Sequence, residues 1–319
     1  MTYIEWFHEG KLPRERVGGK GASLSELAGA GFPVPGGFCV NAEGYRRFVA
    51  TGGIDERLEQ ALAGAHLETF EGVQAASHHV ASLLEDAQLP DDLREEIGEA
   101  YDSLTAMTGL ACAVRSSAIS EDGASASFAG LYESYLNVRG VTDVLTAVRR
   151  CYASLWSERA IRYRARGGAV GAHDEAMGVV IMGLVPSDVS GIAFTAHPVT
   201  GARDLVVINS SWGLGEAVVS GRVTPDFFVI DKNSFAVLER DIFTKELAIY
   251  SHPDGGGTIE RQIPADKRSV ASLSDEQAQE VARLAARVEA QYGRPQDVEW
   301  GLANHQLFLL QSRPITTLE

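Results

Sequence analysis

Apolar positions recur at helical spacing through most of the first third of the chain. The stretches Gly72–Gln88 and Asp91–Met107 both carry this spacing, and Pro90 separates them, so two helices with a break between them are predicted. A strand is predicted near Gly37–Val40, and further strands at Ala111–Ser116 and Ser134–Val138. Leu145, Val148, Tyr152, Leu155 and Trp156 then share the inner side of one long amphipathic helix from Val141 to about Arg166. From Met177 the rhythm changes. Short apolar runs follow one another at Gly178–Val185, Gly191–Thr195, Leu205–Asn209, Phe227–Asp231 and Glu246–Tyr250, separated by clusters of Gly, Pro, Asp and Ser. One helix interrupts them: Ser274 with Gln277 three residues on is a capping box, and Val281, Leu284, Ala285 and Val288 form its apolar stripe. The predicted fold class is α+β, with a mixed first lobe over residues 1–190 and a second lobe over 191–319 built on a largely antiparallel sheet.

The last turn of the chain, Q-D-V-E-W-G-L-A-N-H-Q-L-F-L-L-Q-S-R-P, reads as a β-hairpin. A loop centred on His305 sets Asp297 opposite Arg313 and Glu299 opposite Gln311, and strand alternation puts all four on one face. Val298, Trp300, Leu302, Phe308 and Leu310 then share the other face and are candidates for the core. Carboxylate and amide oxygens suit Mg²⁺, and an arginine fork suits phosphate. Taken alone, the same pattern is equally a solvated strand surface with a cross-strand ion pair.

Composition narrows the partners. With 28 basic and 43 acidic residues the net charge is −15, so nucleic acid is not an expected partner and any anion must be held by a local cluster of donors. Cys39, Cys112 and Cys151 lie far apart without metal-type spacing, which reads as buried free thiols in a reducing compartment. No run reaches the roughly 18 apolar residues of a membrane span, and acids occupy the N-terminus where a signal peptide carries bases. A cytoplasmic protein without membrane partners is expected.

Two segments could supply the donors for an anion. In R-V-G-G-K-G-A-S-L, Gly18, Gly19 and Gly21 surround Lys20 just before a helix; glycines let backbone N–H groups approach an anion, and Lys20 adds a point charge. The spacing is not that of a P-loop, and a Gly-rich turn with a solvated lysine is the plainer reading of this segment alone. In A-V-R-S-S-A-I-S-E-D-G-A-S-A-S-F-A-G, an apolar strand ends at Arg115, followed by the hydroxyls of Ser116 and Ser117 and a loop of small residues over Ser120–Ser127. An arginine at a strand end can clamp phosphate, and such a loop can fold over it as a lid. The competing reading pairs Arg115 with Glu121 or Asp122 on a surface loop. Further on, Glu216 and Arg222 stand out among the turns without an assigned role.

Together G-G-K-G, V-R-S-S-A, S-F-A-G, S-D-V-S-G-I-A-F-T-A-x-P-V-T-G, W-G-L-G-E-A-V-V-S-G, D-V-E-W and L-L-Q-S-R-P-I-T-T-L resemble the N-terminal nucleotide-binding domain of the dikinase family. That family comprises phosphoenolpyruvate synthase, pyruvate phosphate dikinase and the rifampin phosphotransferases, and the stretch K-E-L-A-I-Y looks most like the last branch. The resemblance covers nearly the whole chain. It implies an ATP-grasp-like fold with ATP and Mg²⁺ in the cleft between two lobes. It also implies that Lys20 and Arg115, with Ser116 beside them, hold phosphates. Glu299, Gln311 and Arg313 would bind metal and phosphates, with Asp297 as a further metal ligand or orienting group. Lys20, Arg115 and Arg313 would be the catalytic cations. Family members pass the β-phosphoryl of ATP to a histidine on a separate swivelling domain, and from there to pyruvate or the antibiotic.

The chain departs from the family pattern in places. Leu131 replaces a glutamine after S-F-A-G, and Met182 stands where many members carry a glutamine near the adenine. His197 stands where an acid or amide is common. The Gly-rich T/S-x-H segment of the phosphocarrier histidine is missing: His78 and His79 fall mid-helix, and His173, His197, His252 and His305 fall in turns. The expected partners are therefore a phosphohistidine domain and a substrate domain, in cis within a much longer protein or in trans. Two other readings stand open: a stand-alone ATP-grasp enzyme acting directly on a small molecule, and a nucleotide-sensing module without catalysis.

Overall fold

The computed structural model describes residues 2–119, 133–166 and 175–316; the predicted lid over Ser120–Ser127, Leu131 and His173 lie outside the described residues. The chain divides into two compact units, Met1–Gly29 with Gly36–Gly183, and Ala30–Pro35 with Leu184–Glu319. Helices and antiparallel sheets occur in both, an α+β fold. No helix among the described residues is long and apolar enough to cross a membrane.

The first unit contains β1 (Ile4–Trp6), α1 (Arg14–Gly29), β2 (Gly37–Val40), α2 (Ala42–Val49), α3 (Ile54–Ala63), α4 (Phe70–Asp86), α5 (Asp91–Thr108), β3 (Cys112–Ala118), β4 (Ser134–Val138), α6 (Val141–Ser154), α7 (Glu158–Arg166) and β5 (Met177–Gly183). Its sheet runs in the order β1-β2-β5-β3-β4, with every neighbouring pair antiparallel. All seven residues of β5 are buried, which explains an unbroken apolar run where a half-exposed strand would alternate. The helix predicted from Val141 to Arg166 is two helices. Leu155, Trp156 and Ser157 each close onto the carbonyl three residues back, which tightens and ends the turn. Trp156 thereby enters the core, where its indole N–H donates to the Tyr45 hydroxyl at 3.1 Å. β3 also runs past the predicted end to Ala118, so Arg115 sits in mid-strand and not at its end.

The second unit contains β6 (Val189–Phe194), β7 (Leu205–Trp212), α8 (Glu216–Val219), β8 (Asp226–Asp231), β9 (Val237–Asp241), β10 (Leu247–Ser251), β11 (Thr258–Gln262), α9 (Asp275–Tyr292), β12 (Gln296–Ala303) and β13 (Gln306–Pro314). Six strands form one antiparallel sheet, β13-β12-β6-β7-β8-β9, while β10 and β11 pair separately. The predicted capping box starts α9: Ser274 Oγ accepts from Gln277 N, and Gln277 Oε1 accepts from Ser274 N at 2.9 Å. The buried stripe of Val281, Leu284, Ala285 and Val288 lets α9 cover one face of the sheet, and Arg240 of β9 pairs with Asp275 at its first turn. β9 and β11 were not predicted; their residues are mostly exposed and too polar to show alternation.

Candidate functional site

β12 and β13 join through Asn304 and His305, both with positive φ (49° and 63°), as a two-residue hairpin turn of the primed type requires. Asp297 lies opposite Arg313 and Glu299 opposite Gln311, the register expected from the sequence. Between Glu299 and Trp300 the register shifts, and Trp300 pairs with Leu309. Leu310 is the extra residue of this bulge, which re-aims everything between it and the turn. The predicted core pair Phe308 and Leu310 is consequently only half-buried, and Leu309 is fully buried in their place. Val298, Trp300 and Leu302 are buried as predicted.

On the polar face Arg313 donates from Nε and Nη2 to the same oxygen, Asp297 Oδ2, at 2.8 and 2.7 Å. Asp297 is 6% exposed and Gln311 7%. Burial pushes the Asp297 carboxyl above the usual carboxylate range; Arg313 opposes that shift and the neighbouring charge of Glu299 adds to it. Asp297 Oδ1 and Gln311 Oε1 are buried with no hydrogen-bond partner. Each orphaned acceptor costs on the order of 1–3 kcal/mol, more for the charged one, unless something else meets it. With the half-buried Glu299 they offer three hard oxygen ligands from one rigid face, a donor set that fits Mg²⁺. Among the described residues no group of three or more His, Cys, Asp or Glu side chains could hold a metal, so an amide has to complete this set.

In the first unit the Gly-rich segment is folded by a close backbone approach. Gly18 has φ 73° and ψ 178°, which kinks α1, and a Cβ there would overlap the Ser117 carbonyl. Ser117 Oγ donates to Val17 O at 2.7 Å and accepts from Gly21 N at 3.1 Å, so the segment carrying Lys20 is fastened to β3 two residues beyond Arg115. Ser116, fully buried, donates to Glu133 O at 2.7 Å. Burial drives the Cys151 thiol well up; Lys20 and the Ser116 hydroxyl act in the opposite direction, which places both near that thiol. Lys20, Arg115 and Ser116 thus belong to one corner of the first unit. Met182 lies inside its sheet, 2% exposed, opposite Gly37 and Ala113.

Other singled-out residues have structural partners. Glu216 accepts from Thr258 Oγ1 at 3.0 Å and Arg222 pairs with Glu260 at 2.6 Å, fixing α8 and the turn after it to β11. His197 Nδ1 faces the backbone N–H groups of Val199 and Thr200, doing for that turn what an acid or amide side chain does elsewhere. All three cysteines are buried and free. Sequence reasoning missed the fully buried pair of Lys245 and Asp226, 2.5 Å apart. Its only sequence trace is one lysine and one aspartate beside the apolar runs L-A-I-Y and F-F-V-I.

Residues 14–319 match the family described as pyruvate phosphate dikinase, AMP/ATP-binding domain. The chain is 38% identical over 323 residues to a probable phosphoenolpyruvate synthase of Methanocaldococcus jannaschii, covering 100% of this chain and 27% of that protein. It is 38% identical over 364 residues to a phosphoenolpyruvate synthase of Pyrococcus furiosus, 99% of this chain and 44% of the relative. To the prodigiosin synthesizing transferase PigC of Serratia marcescens it is 40% identical over 314 residues, 98% of this chain and 33% of that one. The chain therefore spans less than half the length of these relatives.

Proposed function

The chain belongs to the pyruvate phosphate dikinase AMP/ATP-binding domain family, the ATP-binding phosphotransfer domain of phosphoenolpyruvate synthase-like enzymes, and we propose that it binds Mg-ATP in an ATP-grasp-like manner with cations from its first unit and the hairpin face of its second. Lys20 and Arg115 take the phosphates; Ser116, expected beside them, is buried with its hydroxyl committed to Glu133 O and instead holds the strand that carries Arg115. Glu299, Gln311 and Asp297 would hold Mg²⁺ through their oxygens, and Arg313, oriented by Asp297 Oδ2, meets a phosphate beside them. Bound Mg²⁺ would offset phosphate charge during transfer. The residues of the chain position the nucleotide and stabilise charge on the transferring group, which is what phosphoryl transfer chiefly asks of a protein. With a net charge of −15, these few cations are essential to admitting a polyphosphate.

The observation that carries this reading is the pair of buried oxygens without donors, Asp297 Oδ1 and Gln311 Oε1, on the face shared with Glu299. The histidine that accepts the β-phosphoryl lies on a swivelling domain in cis or in trans, and the final acceptor is pyruvate or a rifamycin-like small molecule. The greater length of the relatives supports a division of labour among domains. The test is a calorimetric titration of Mg-ATP into the chain and into its Glu299→Gln variant, with products then examined for AMP. Binding that depends on Mg²⁺ and weakens at least tenfold in the variant is expected. Equal binding by both would overturn the metal assignment, and no binding by the natural chain would overturn the nucleotide reading.

A further inference from the structure

The hairpin face does not stop at β12. Gln311 pairs with Glu299, Glu299 with Ile192, Ile192 with Asn209, Asn209 with Phe227, and Phe227 with Asp241. Residues directly opposite in a sheet share a face, so this row runs across all six strands on the side that carries the metal-type oxygens. Ser211, two residues beyond Asn209 on β7, lies on the same side. Its hydroxyl is buried without a partner, the residue being 1% exposed. The half-buried Asn209 carboxamide likewise forms no hydrogen bond among the described residues. Buried polar groups are nearly always satisfied, so the orphaned Ser211 hydroxyl points to a ligand, and the half-buried Asn209 carboxamide two residues away on the same side is open to meet it.

The chemistry of the row selects the ligand. Its charged members are both carboxylates, Glu299 and Asp241, with no lysine, arginine or histidine among the six. A phosphate on Asn209 would face the Asp241 carboxylate at the far end of the row with no cation among the six to offset it. A neutral diol would not, and a carboxamide offers one donor group and one acceptor to a pair of hydroxyls. The side chains beside Asn209, Ile192 and Phe227, are apolar and half-buried, suited to the carbon face of a sugar. Two strand spacings place Asn209 about 10 Å from Glu299, comparable to the reach from metal-bound phosphates to the ribose of the same nucleotide. We propose that Asn209, backed by Ser211, binds the ribose hydroxyls of the nucleotide and makes this domain discriminate ribonucleotides from deoxyribonucleotides. The proposal rests on the nucleotide reading of the hairpin face.

Titration calorimetry with Mg-ATP, Mg-2′-deoxy-ATP and Mg-3′-deoxy-ATP tests it on the natural chain and on Asn209→Leu. The natural chain should bind ATP about fivefold more tightly than at least one deoxy analogue, the worth of one neutral hydrogen bond. Asn209→Leu should bind all three alike, at the weaker level, with its Mg²⁺ dependence unchanged. Equal binding of the three nucleotides by the natural chain overturns the proposal, as does discrimination that persists in the variant. The comparison of analogues on the natural chain decides the matter even if Asn209→Leu fails to fold. Absence of binding by every nucleotide would instead bring down the nucleotide reading, and the ribose assignment with it.

Discussion

Two strands of the same sheet each carry a buried aspartate paired with a cation, Asp226 with Lys245 and Asp297 with Arg313, and the two pairs differ in how completely the fold uses them. Asp226 accepts from Lys245 Nζ at 2.5 Å and Phe243 N at 3.1 Å on one oxygen, and from Ser272 N and Oγ at 2.7 Å each on the other. Lys245 in turn donates to Phe243 O, and both side chains are fully buried. Asp297 receives Arg313 twice on Oδ2 and nothing on Oδ1. The first pair is saturated; it ties the start of β8 to the segments before β10 and α9. The second is left with a vacant buried acceptor beside another, Gln311 Oε1. A fold that closes one such network so fully and leaves the other unfinished is the contrast expected between a structural pair and the ligand-binding one proposed above.

The most severe break of this contrast is Lys245→Met. It keeps the volume and removes the charge, leaving Asp226 buried with a carboxylate that only neutral donors meet. Loss of one partner of such a pair costs about 3–5 kcal/mol, which chemical denaturation of the second unit should register. A loss below about 1 kcal/mol would mean that Ser272 and Phe243 N suffice and that the pair is not the structural one.

Asp297→Asn should do the reverse. Without metal the change relieves a desolvated charge while weakening the contact to a half-exposed Arg313, so stability should move by no more than about 1 kcal/mol. Under the proposed metal assignment, Mg²⁺-dependent ATP binding should weaken at least tenfold by calorimetry, since a carboxylate oxygen at the metal position would become an amide oxygen. A destabilisation as large as that of Lys245→Met would make both pairs structural.

The same contrast explains what the sequence revealed. The hairpin was legible because strand alternation and a short polar turn are local signals, and both cross-strand pairs at its far end follow from them. The bulge at Leu310 was not legible, since a one-residue slip leaves the alternation of each strand intact and shows only in their pairing. The role of Gly18 was half-legible: its glycine marked a special backbone, but the Ser117 carbonyl that demands it lies far along the chain. The helix break after Ser154 escaped because Leu155 and Trp156 are buried whether or not the helix continues. The partnership of Lys245 with Asp226 depends wholly on tertiary contact, and no spacing rule could have joined them. The ATP-binding role rests on motif resemblance and on the family match, with no local physical signal equal to it.

The smallest expected effect is also the most discriminating. Burial raises the folded-state pKa of Asp297 above its ordinary 3.8. A group raised in this way contributes stability that is fully present below its unfolded value and is lost as pH rises through its folded value. The natural chain should therefore gain stability relative to Asp297→Asn as pH falls from neutral toward 4, the difference cancelling the other carboxylates that titrate in both proteins. Saturating Mg-ATP should flatten or invert that slope, because a bound cation favours the ionised carboxylate and a proton must now displace it. A saturated site has no such lever, so the stability difference between the natural chain and Asp226→Asn should be indifferent to Mg-ATP. If the Asp297 slope is indifferent as well, the vacant oxygen is not a metal ligand, and the distinction between the two pairs is one of packing alone.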